Sequence, residues 1–113
     1  GFARALKQRY ETTGRDRAFA GEFARGLARG ALENEDGARA VQLFARAQTL
    51  RPLSDWPTLR DEARAFRMIG DPDAEHQRIQ AALAAIGALD QPDDAANTAR
   101  RELAARLDEL GDG

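Results

Sequence analysis

Apolar residues recur along this chain at every third or fourth position, the period of an amphipathic helix. Phe2, Leu6 and Tyr10 stack at i, i+4 and i+8, and Thr13-Gly14-Arg15 is expected to end that first stretch. A second helix is expected from Asp16, a good N-cap, to about Leu32, with Phe19, Phe23 and Leu27 on its inner face. Asn34 can cap a third, which buries Ala40, Val41, Phe44, Ala47 and Leu50 before Pro52 stops it. A fourth opens around Ser54-Asp55-Trp56-Pro57, with Leu59, Ala63, Phe66 and Ile69 inside and Gly70 as a left-handed C-cap. Asp71-Pro72 starts a fifth, with Ile79, Ala82, Leu83 and Ile86 apolar and Gly87 near its end. A last helix begins at Asp90 or Gln91 and carries Ala99, Leu103, Leu107 and Leu110. The connections are about three to six residues long, so consecutive helices should pack antiparallel.

Composition agrees with an all-α reading. Ala occurs 24 times and Leu 12 times, while Val and Ile together occur only 4 times, too few for a sheet. A length of 113 residues gives one small domain. Arg outnumbers Lys 16 to 1, which a GC-rich, bacterial type of coding sequence explains better than function does. The formal net charge of -2 argues against a nucleic-acid binder. The absence of cysteine removes disulfides and thiolate metal sites, and it leaves oxidising and reducing compartments equally open. No apolar run approaches the ~20 residues of a membrane span, and no basic-then-apolar leader opens the chain.

The chain also repeats itself. A shift of 35 residues carries Ala24 onto Leu59, Ala28 onto Ala63, Ala31 onto Phe66, Phe44 onto Ile79 and Ala47 onto Ala82. Helices two and three, and four and five, are thus expected to be two copies of one helical hairpin. The run Ala40-x3-Phe44-x2-Ala47-x4-Pro52 resembles the second helix of a tetratricopeptide repeat, and Gly70-Asp71 is similar to that family's turn. The second copy departs from the pattern with Glu75 in place of a small residue, and the first with Glu35 in place of the turn glycine. The resemblance covers about residues 21–88. It implies an α-solenoid of antiparallel hairpins, about six helices in all. Residues 1–20 hold the first helix and the start of the second, 21–54 and 55–89 the two repeats, and 90–113 a capping helix.

Catalytic signatures are missing. His76 stands alone with no partner at ligand spacing, Ser54 lies in no nucleophile elbow, and Asp71-Pro72-Asp73 reads as a helix cap. A non-enzyme without cofactor or metal is therefore expected. The resemblance implies that the first helix of each hairpin lines a concave face. Arg25, Arg29, Arg60, Arg64 and Arg67 would then line a groove, with Leu32 and Met68 beside them. Arg60, Arg64 and Arg67 share a helical face, and guanidinium forks suit carboxylates. The expected function is a protein–protein interaction or scaffold module that takes a protein or peptide segment, acidic in character. The alternative is a helical domain that self-associates, or docks within a larger protein or enzyme, through Phe2, Leu6 and Tyr10 of the first helix.

Overall fold

The computed structural model describes residues 2–111, with side-chain surroundings from residue 14 onward. The described residues are all-helical, in five helices rather than six: α1 (Phe2–Glu33), α2 (Gly37–Leu50), α3 (Trp56–Met68), α4 (Pro72–Gly87) and α5 (Asp94–Gly111). The break expected at Thr13-Gly14-Arg15 does not occur, and α1 runs unbroken for 32 residues. A lone glycine costs only about 1 kcal/mol in a helix interior, and no proline follows to remove a donor. Asp16 is therefore mid-helix rather than a cap.

The remaining boundaries follow local chemistry. Asp36, not Asn34, caps α2: its side chain accepts from the Arg39 N–H at 3.2 Å, as Asp71 accepts from Ala74 at the start of α4. Asp93 receives the Ala96 N–H at 2.8 Å, so Pro92 precedes α5 and does not lie inside it.

The two hairpin turns are copies of each other. Glu35 (φ 59°) and Gly70 (φ 74°) both adopt the left-handed conformation. Glu35 and Asp36 donate to the Leu32 and Ala31 carbonyls, and 35 residues later Gly70 and Asp71 donate to Arg67 and Phe66. This double closure ends α1 and α3 alike. A side chain in that conformation is strained by roughly 1–2 kcal/mol. Glu35→Gly should therefore raise stability by about 0.5–1 kcal/mol, net of the glycine's extra freedom when unfolded, and Gly70→Ala should lower it by about 1 kcal/mol. Urea denaturation of the two variants checks both signs.

Helices α1 and α2 form one hairpin and α3 and α4 a second, with α3 packed on α2 and α5 on α4. The core has two parts. Ala28, Ala31, Leu32, Ala40, Phe44 and Ala65 fill the first, where Phe44 is the one ring and Val41 and Leu43 pack against the cluster. Leu59, Ala63, Ile79, Ala82, Ile86, Ala96, Ala99 and Leu103 fill the second, with Trp56 half-buried against them. Small residues set the spacing. A Cβ on Gly37 would lie 2.5 Å from the Met68 Cβ, so only glycine lets α2 approach the end of α3 this closely.

One expected face is overturned. Phe19, Phe23 and Leu27 do not point inward, and are 74%, 61% and 43% exposed. The inner face of α1 is Gly21, Ala24, Arg25, Ala28, Ala31 and Leu32. Large side chains there would hold α2 away: a Cβ on Gly21 already comes within 2.8 Å of the Arg51 Cβ. Ile69, expected inside α3, is also exposed. The side chains of Phe2, Leu6 and Tyr10 lie outside the described residues.

Candidate functional site

A cleft of about 370 Å³ opens between α3, α4 and α5. Its floor is apolar: Ala63 from α3, Ile79 from α4 and Leu103 from α5. Helix α3 supplies Arg60, Arg64 and Arg67 along one wall, because positions i, i+4 and i+7 share a face. Helix α5 supplies Glu102 and Arg106 opposite, and Asp61 and Glu75 complete the lining.

The polar groups of the cleft differ in how far they are already engaged. Glu75, 3% exposed, sits where the sequence pattern asks for a small residue. Arg106 answers it with two hydrogen bonds of 2.7 and 3.0 Å, donated from Nε and Nη2. Its Nη1 also donates to Glu109 at 2.9 Å. The Glu75 bonds first, and that to Glu109 second, raise the Arg106 pKa above the ordinary guanidinium value. Arg106 thus acts as a bolt between α4 and α5. Arg60 lies over the Trp56 ring, 5.1 Å from its centroid, and approaches Asp61 at 3.5 Å. Arg64 and Arg67 are exposed and have no ion-pair partner among the described residues. Two guanidinium groups without an ion pair therefore border an apolar floor, and the exposed carboxylate of Glu102 on the opposite wall is in no ion pair among the described residues either.

The other residues expected in the groove are placed elsewhere. Arg25 is 1% exposed, donating from Nη1 to Glu22 and from Nη2 to the Arg51 carbonyl, each at 3.0 Å. It ties the middle of α1 to the end of α2, where a cation meets the helix's free carbonyls. Leu32 is buried in the first core. Arg29 is engaged across the hairpins with Asp61, at 3.3 Å. Met68 is exposed at the end of α3, beside Gly37 rather than in the cleft. The cleft thus gathers Arg60, Arg64 and Arg67, and leaves out Arg25, Arg29, Leu32 and Met68.

Glu75, Glu102 and Arg106 join the cleft although the sequence pattern does not place them there. Glu75 and Arg106 lie 31 positions apart, with no periodic relation to join them. The available signal was Glu75 itself, a carboxylate at a position that should be small, which needs a buried partner.

Beyond the cleft, Glu62 is buried between Gln48 (3.0 Å) and Arg78 (3.1 Å) and joins the two hairpins. Among the described residues no group of three His, Cys, Asp or Glu side chains could hold a metal, and no helix is long and apolar enough to cross a membrane. No family model matches the chain, and no curated protein or solved structure is significantly similar to it.

Proposed function

We propose that this chain is a segment of a tetratricopeptide-like α-solenoid that binds an acidic stretch of a partner protein in the cleft between α3 and α5. The observation that carries the reading is the pair Arg64 and Arg67, both exposed and without carboxylate partners, above the floor of Ala63, Ile79 and Leu103. The floor offers burial to an apolar side chain, and the two forks offer charge-assisted hydrogen bonds to flanking carboxylates. The solenoid arrangement is supported by the two turns, which repeat their left-handed residue and their two hydrogen bonds 35 positions apart. Arg106 is already held by Glu75 and Glu109, so it shapes the wall and contributes less to the ligand.

A peptide-display selection against the domain, run at low and at moderate salt, tests this. Enrichment of peptides with Asp or Glu on either side of an apolar residue is expected, weakening as salt screens the exposed charges. Selection of basic peptides, or of no peptides at either salt, would refute it.

A further inference from the structure

The stripe that α1 turns to solvent is shaped to meet itself. Phe19 and Phe23 are 74% and 61% exposed, and no described residue covers them. One turn further on, Gly26 and Gly30 lie on the same side of the helix. At 100° per residue, these four positions fall within about 60° of one another. A Cβ added to either glycine would meet nothing within 4 Å, so the surface is notched there. The notch opens into a hollow of about 300 Å³ lined by Gly26, Leu27 and Gly30 and, toward α2, by Asn34, Asp36 and Arg39. Two knobs are thus followed along the helix by two holes.

We infer that this face joins a second copy of the same chain in an antiparallel pair of α1 helices. With a two-fold axis passing between Ala24 and Arg25, Phe19 faces Gly30 of the second copy and Phe23 faces Gly26. Two-fold symmetry repeats each contact, so four rings enter four notches, and Leu27 closes one side. Charge follows the same register. Arg15 and Glu33 are both exposed and lie on one flank, five helical turns apart. In the antiparallel pair each comes within one position of facing its opposite in the other copy. A like-for-like register of the same patch, with Phe23 on Phe23, would leave the notches empty.

The fold already uses this face once. Moved on by 35 residues, Leu27 becomes Glu62 and Gly30 becomes Ala65, and both of these are buried where α3 packs on the first hairpin. In α1 the same face stands open among the described residues; a preceding hairpin of the same array is the competing occupant, which a strict monomer would favour. Six large apolar side chains with their flanks amount to an interface on the order of 1,000 Å², the lower end of specific association, so dissociation in the micromolar range is expected.

Sedimentation equilibrium from about 1 to 500 µM reads the result. The mass should rise from 12.3 kDa toward twice that value. Gly26→Leu fills a notch with a better helix former, so it keeps the fold and should weaken the dimer at least tenfold. Phe19→Ala with Phe23→Ala should leave a monomer of unchanged helicity. Arg15→Glu and Glu33→Arg should each weaken the pair, and the double variant should restore it. A strict monomer at 500 µM would overturn the inference in favour of some other occupant of the stripe. A dimer indifferent to Gly26→Leu would place the interface elsewhere, and failure of the charge reversal to rescue would reject this register. None of these outcomes touches the cleft between α3 and α5, which lies on other helices.

Discussion

Phe44→Ala should destabilise the fold by about 3–5 kcal/mol, the usual cost of removing a large buried ring. The ring is 2% exposed, in a core cluster with Ala28, Ala31, Leu32, Ala40 and Ala65 against which Val41 and Leu43 pack. The four alanines cannot swing into the space, because their only side-chain atom is fixed to the helix. Part of the cavity would therefore persist, and the loss falls within that range rather than below it. A domain of this size has a stability of only about 5–15 kcal/mol, so much of it would go. Urea denaturation followed by circular dichroism gives the value. Phe66→Ala is the internal comparison: Phe66 is half-buried, with Arg78 over its ring at 5.4 Å, and should cost clearly less. Equal costs at the two positions would show that Phe44 does not anchor the first hairpin.

The second large effect concerns binding. Arg64→Ala combined with Arg67→Ala should weaken an acidic ligand by roughly 2–3 kcal/mol, about 30- to 150-fold, the value of one or two charge-assisted hydrogen bonds at a partly exposed site. Neither side chain has an ion-pair partner among the described residues, so the fold should not suffer. Arg25→Ala is the contrasting variant. It strips Glu22 and the Arg51 carbonyl of a buried donor, so it should lower stability and leave affinity in the folded fraction unchanged. Fluorescence anisotropy with a labelled acidic peptide from the selection separates the two classes. An Arg64/Arg67 double variant that binds as well as the parent would remove these residues from the site.

The sequence carried the helical class, the hairpin period and most of the inner faces, because apolar spacing and caps such as Asp71-Pro72 are local signals. It misjudged α1 for two physical reasons. A single glycine at residue 14, with no proline near it, is too weak a signal to break a helix. And although large apolar residues ordinarily face inward, the close approach of α1 and α2 demands Gly21, Ala24 and Ala28 there and turns Phe19 and Phe23 out. The candidate site was half legible for the same reason. The stripe Arg60, Arg64 and Arg67 is one helix face and could be read from spacing alone. Arg25 looked equivalent, but a long side chain beside a helix end can be drawn in to cap it, and periodicity does not separate that from exposure. The opposite wall, Glu102 and Arg106, depends on how α5 lies across α4, which no local pattern encodes.

The cleft between α3 and α5 is proposed to receive an acidic segment. The most direct measurement is a nitrogen-15 chemical-shift titration of the domain with an acidic peptide, following the side-chain Nε–H signals of the arginines as well as the backbone. Shifts concentrated at Arg64 and Arg67, and at the backbone of Ala63 and Leu103, with little change at Arg25 or along Phe19 to Leu27, are the predicted result. Saturable binding with Arg64 and Arg67 unmoved, and shifts clustered on any other face, would contradict it.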